Sequence, residues 1–312
     1  MLKQNLRDAF SAGLVEAAEM DERIVVLDPD VARSTKMLKF KERFPENFFE
    51  FGVAEQNMIG ASVGFAREGF IPFCVAFAPF SVLRPLEITR TSIAYPGLNV
   101  KIVGLYAGVS CAKEGATHMT FEDVGAMRSI PGMRVITACD PVMAKAVAHA
   151  AAEDNGGPIF IRLDSEELPC IYPEGSKYEI GKAYVLREGS DVTLVGYGSA
   201  VHRLLKAADT LAETGISAEV IDAATVKPLD RDTIMASAGK TGHIVSLEDH
   251  NIYGGLSSAL SEILAKEIEK VIYTPVAIMD VFGISGTIQQ EQEELHLTAE
   301  DVVNAAKNML NR

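Results

Sequence analysis

One carboxylate, Glu55, opens an apolar helical run directly after a strand-like segment in FEFGVAEQNMIG, residues 49–60. Phe49, Phe51 and Val53 precede it; Met58, Ile59 and Val63 follow. A helix start favours the anion through its dipole, whereas apolar neighbours disfavour charge. Those opposed pressures suit a carboxylate that shares or exchanges a proton with a buried nitrogen base. The plainer alternative is an exposed residue that merely opens or caps the helix.

Other residue types capable of chemistry cluster in loops. KEGATHMTFEDVGAMR, residues 113–128, puts His118 on a glycine-containing loop with Lys113, Glu114 and Thr117, just before a helix. DPDVARST, residues 28–35, offers Asp30, Arg33, Ser34 and Thr35, and PIFIR ends on Arg162. Each follows an apolar strand, and the carboxyl ends of parallel strands are where open α/β sheets bind ligands. Each could equally be an ordinary solvated loop. Phe77 and Phe80, three residues apart in AFAPFSVLRPLE, pack a core or form an aromatic face for a flat heterocycle. Arg84, Glu87 and Arg90 then make a charged stripe, read as a solvated or subunit-contact face. GYGSAV at 196–201 lacks the third glycine of a dinucleotide fingerprint and reads as a tight turn into a helix.

The elements that must position these groups alternate between strand and helix throughout, which argues for parallel βαβ units. After an amphipathic helix in MLKQNLRDAF, strands are expected at 23–28, 71–77, 99–105, 133–138 and 158–163. Helices are expected after Glu55, around 80–93, around 119–127 and at 141–153. Residues 164–180, with two prolines and mixed charge, break the alternation. It restarts with strands at 191–198, 217–222, 243–249 and 273–283, and helices near 199–213 and from Gly255. The expected division is a domain at 1–168, a linker at 169–181 and a smaller α/β domain at 182–312.

Composition bounds the function. The 312 residues suffice for two α/β domains, with 48% apolar and 23% charged residues, as in ordinary globular proteins. A formal net charge of −14 argues against binding nucleic acid or an anionic membrane. The start does not read as a signal peptide, and no apolar run approaches spanning length. Cys74, Cys111, Cys139 and Cys170 lie far apart without a CxxC pair, which suggests reduced thiols, no metal site and a cytoplasmic protein.

Taken together, VLDPDVARSTK, FFEFGVAEQNMIGASVGFA, GFIPFCVAFAPF, IAYPGLNVKIVG, EGATHMTFEDVGAMRSIPGM and SLEDHNIYGGLSSAL resemble the C-terminal section of a split transketolase, over essentially the whole chain. The resemblance implies a pyrimidine-binding thiamine diphosphate fold followed by a transketolase C-terminal domain. It also implies transfer of two-carbon ketol units between sugars. No GDG followed by an asparagine pair is present, so the diphosphate and a divalent metal (Mg or Ca) are expected on an N-terminal-section partner chain. Two copies of each chain would complete a heterotetramer.

Carried over residue by residue, Glu55 matches the glutamate that contacts N1′ of the aminopyrimidine. Phe77 and Phe80 match aromatics lining that ring, and Asp30 an acid supporting the pocket. His118 matches a histidine that bonds substrate oxygens. Ser34 and Arg162 match positions holding the anionic end of a phosphosugar, and Glu114 falls among the substrate-facing residues. Three positions depart from the common pattern. Tyr106 stands for a frequent histidine, Lys113 for an acid and Met119 for a glutamine, which points to a modified phosphoketose or a sulfonated ketose as donor. Rival readings are a 2-oxo acid dehydrogenase β subunit, a deoxyxylulose-phosphate synthase half and a catalytically silent interaction subunit. The THMTFEDVGAMR segment favours transketolase over the first.

Overall fold

A computed structural model describes residues 3–266 and 270–310. Met1 and Leu2 of the expected amino-terminal helix lie outside the described residues; the helix itself runs Leu6–Met20, with the Asn5 side chain capping it. A seven-stranded sheet carries the first half. It is parallel through Ile24–Asp28, Phe48–Glu50, Ile71–Phe77, Lys101–Leu105, Arg134–Thr137 and Ile159–Leu163. The five-residue strands in this set are buried at every position, which is why they read as apolar runs interrupted only by Asp28, Lys101 and Arg162. Because all six point the same way, the loops after them gather at one edge of the sheet.

The seventh strand comes from far along the chain. Thr225–Lys227 adds antiparallel to the edge strand Arg134–Thr137. A second, five-stranded sheet holds Val192–Gly196, Ala218–Asp222, His243–Asn251 and Ile272–Ile278 in parallel, with Tyr184–Arg187 antiparallel at its edge. Between the two sheets, Glu167–Pro169 pairs antiparallel with Lys3–Asn5. The fold is therefore mixed α/β with largely parallel sheets.

Two helical expectations are corrected. The stretch expected as one helix around 80–93 is broken into Ala78–Val82, Leu86–Ile88 and a π-turn at Thr89–Ala94. Pro85 explains the break, since proline removes an amide donor and biases the residue before it away from helix. The helix expected around 119–127 begins at Asp123 and ends at Ser129, so Met119 and Thr120 stay in the loop.

The connecting segment is held by buried polar contacts. Tyr172 Oη donates to Asp222 Oδ2 at 2.9 Å, and burial pushes the Asp222 carboxyl up to about 7. A raised carboxyl favours the folded state while it is protonated, and that contribution is lost as pH climbs from near its ordinary value, 3.8, through about 7. Urea titrations of an Asp222→Asn variant across that window are expected to give a flatter stability–pH profile than the unmodified chain. An unchanged slope would discard this account of the connector.

Candidate active site

Glu55 is the first residue of the helix Glu55–Arg67 and is 6% exposed, so it is not an ordinary solvated helix opener. The parallel pairing of Phe48–Glu50 with Ile24–Asp28 fixes where that helix enters. Arg84 Nη1 donates to Glu55 Oε2 at 2.8 Å, and the guanidinium lies over the Phe80 ring, 4.4 Å from its centroid. Arg84 was not legible as part of the site. Its one signal was the following proline, which turns residue 84 out of the helical stripe.

Strand Ile71–Phe77 and the short helix after it set the aromatic pair. The Phe77 and Phe80 rings are nearly parallel, 9° apart in plane and 6.1 Å between centroids. Tyr106 stacks on Phe77 at 4.3 Å. The His118 ring stands edge-on to Phe80 at 5.3 Å and to Phe77 at 6.4 Å, with Nδ1 2.9 Å from Thr117 Oγ1. Phe77, Phe80, Tyr106 and His118 thus form one continuous patch, to which Arg84 links Glu55.

Arg7, on the first helix, extends it. Its guanidinium sits 4.3 Å from the Tyr106 centroid and donates to the Tyr106 hydroxyl and, at 2.8 Å, to the Ser34 carbonyl. No sequence signal marked Arg7, because helical spacing alone placed it among ordinary amphipathic positions. Tyr106 has φ +56°, a left-handed conformation unusual for an aromatic residue, and this turns its ring toward Phe77 and Arg7.

Three expected residues sit differently. Asp30 is exposed, with φ +68° and its amide donating to Glu50 Oε1 at 2.7 Å. The buried acid of that loop is Asp28, which accepts from Val31 N at 2.7 Å and whose carboxyl burial pushes up to about 6. Lys113 and Glu114 are both exposed on the loop before His118, and Glu114 accepts from Cys111 Sγ at 3.5 Å.

Arg162 is placed furthest from its expected setting. It is 1% exposed and paired with Asp123 at 3.0 Å, Asp249 at 3.2 Å and Asp164 at 3.3 Å. Three carboxylates already engage the guanidinium, and none of the patch residues touches it. It ties the two halves together rather than facing the patch. A concavity of about 1080 Å³ lies between helices Leu6–Met20 and Pro141–Glu153 and the connecting segment, and none of the patch residues lines it.

Comparison with known proteins places the chain and its fold. Residues 3–170 match the transketolase pyrimidine-binding domain and residues 181–302 the transketolase C-terminal domain. A putative transketolase C-terminal section of Methanocaldococcus jannaschii is 39% identical over 301 residues, covering 96% of this chain and 94% of that protein. A 6-deoxy-6-sulfo-D-fructose transketolase subunit of a Clostridium species is 40% identical over 307 residues, covering 98% and 95%. A solved split-gene transketolase, described as an inactive β4 tetramer, superposes with a TM-score of 0.91 at 41% identity over 99% of both chains. The chain belongs to the transketolase family, as a C-terminal section made of its pyrimidine-binding and C-terminal domains.

Proposed function

We propose that this chain is one subunit of a two-chain, thiamine diphosphate-dependent transketolase that moves a two-carbon ketol unit from an anionic ketose to an aldose. The observation that carries the reading is the buried Glu55 beside the Phe77–Phe80 face, with His118 edge-on to both rings. The residues present fit an aminopyrimidine. Arg84 supports this fit: its flat guanidinium lies over Phe80 while donating to Glu55.

When bound, thiamine diphosphate supplies the carbanion chemistry that breaks and forms carbon–carbon bonds. Glu55 holds a proton toward N1′ of the pyrimidine, in a pocket whose burial strengthens that hydrogen bond. Phe77 and Phe80 orient the ring. His118 bonds sugar oxygens near the reacting carbons. Asp30, exposed beside Glu50, would support the pyrimidine pocket only once a partner chain meets that loop. The diphosphate and a divalent metal are held by an N-terminal-section subunit, with two copies of each chain in the assembly. A cytoplasmic location accords with this substrate class.

The donor is read from the departures. Ser34, Tyr106, Lys113 and Glu114 bound the distal end of the sugar, and Arg7 brings a fixed guanidinium to the Tyr106 hydroxyl. Its positive charge suits a phosphate or sulfonate end, although Nη1 and Nε are already engaged by Ser34, Tyr106 and Asn5. A related subunit is named for a sulfonated ketose. The reading is tested by mixing the chain with its partner, thiamine diphosphate and a divalent ion, and assaying ketol transfer from phosphorylated and sulfonated ketoses. Absence of transfer from every donor would remove it. Tyr106→His combined with Lys113→Glu is expected to shift relative kcat/KM toward ordinary phosphoketoses by about tenfold. An unchanged ranking across the sugar panel would discard the assignment of these two positions.

A further inference from the structure

The His118 loop is held from outside its own domain. The strand His243–Asn251 of the second sheet ends against it: the Asn251 amide donates to the Phe121 carbonyl at 2.7 Å. Gly125, in the first turn of the helix after the loop, donates its amide to His250 Nε2 at 3.0 Å. First-turn amides have no partner inside their own helix, so an imidazole from the other domain supplies one. His250 Nδ1 contacts the Asn251 carbonyl at 2.7 Å. The ring proton therefore lies on Nδ1, and Nε2 is left as the acceptor.

Further contacts converge on the same loop. The Gly286 amide donates to the Ala112 carbonyl at 3.1 Å. Arg128 Nη1 donates to the Gly254 and Gly255 carbonyls at 2.5 and 3.1 Å. The helix and the turn approach so closely that a Cβ on Gly125 would lie 3.3 Å from both Gly254 Cα and His250 Cε1. A Cβ on Gly108, where the loop begins, would collide with the Asp249 carboxylate.

We infer that the C-terminal domain sets the geometry of substrate recognition, with His250 as a positioning residue that fixes the His118 loop by accepting the Gly125 amide. His250 touches neither cofactor nor sugar in this account. It acts on the imidazole of His118 through the six residues of backbone, 119–124, between His118 and Gly125. The inference rests on the reading of His118 as a sugar-binding group, and it gives the second domain a task that the pyrimidine wall does not need.

The test uses the reconstituted two-chain assembly. His250→Ala is expected to lower kcat/KM for the donor ketose by about tenfold, mainly through KM, with thiamine diphosphate affinity within twofold of the unmodified assembly. His250→Gln, whose carbonyl oxygen can reach the place of Nε2, is expected to restore most of the loss. Gly125→Ala guards against a misfolded alanine variant, because alanine is favoured in a helix yet forces the His250 ring to retreat. It is expected to raise KM several-fold without a lower Tm. Amide exchange should quicken over 115–125 in His250→Ala and stay slow in the sheet strands. Wild-type kcat/KM in both alanine variants, or equal loss with Ala and Gln, would overturn the inference. If the unmodified assembly transfers no ketol unit, the functional reading fails instead, and the exchange result alone decides whether His250 holds the loop.

Discussion

Glu55→Gln is expected to reduce turnover of the partner-reconstituted enzyme by about 10²–10⁴-fold, the usual cost of losing a proton-transfer group. The amide keeps the size of the carboxylate and can still accept from Arg84, which now donates to Oε2 at 2.8 Å. Folding should therefore be little changed, and Tm separates the two effects. Glu55→Ala should be at least as damaging, because it also leaves the half-exposed Arg84 without its partner. Steady-state assays on a common donor and acceptor pair give the comparison. A glutamine variant within a factor of two or three of the unmodified enzyme would remove the central role given to Glu55.

Arg162→Met is expected to act on stability. Its guanidinium is 1% exposed and pairs with Asp123, Asp164 and Asp249 at once, two from the first half of the chain and one from the second. Removing one side of a buried ion network strands the other, typically at a cost of about 3–5 kcal/mol. Burial already pushes the Asp164 and Asp249 carboxyls upward despite the neighbouring arginine, so the stranded acids should take up protons readily. The defect should then shrink as pH falls, since protonation removes the unpaired charge. Urea midpoints at neutral and mildly acidic pH measure both. A variant of ordinary stability whose only defect is a raised KM for anionic sugars would instead return Arg162 to the role suggested by sequence resemblance.

The contrast between these residues shows what a sequence can carry. Strands such as 24–28, 71–77 and 159–163 are legible because burial on both faces leaves mostly apolar runs. Glu55 stands out because a carboxylate begins an apolar helix. Arg162 looks like a ligand-binding group in the sequence, yet the fold engages it with three carboxylates. A charged residue at a strand end suggests a site, but its partner Asp249 lies 87 positions away and no local pattern announces it. In DPD, two acids compete for one role. The strand buries Asp28 at its end, and the turn after Pro29 carries Asp30 out to solvent at φ +68°. Arg7 and Arg84 join the patch only through tertiary contact. The three-residue strand Thr225–Lys227 is too short for any alternation to reveal.

That short strand has a practical consequence. It belongs by sequence to the second half, yet it covers the outer rim of Arg134–Thr137 in the first sheet. A fragment cut at the connector would bare a row of unsatisfied amides and carbonyls, which invites edge-to-edge aggregation. Anyone wishing to express the pyrimidine-binding half by itself would need to supply a substitute for residues 225–227, or blunt the naked rim with lysine or proline.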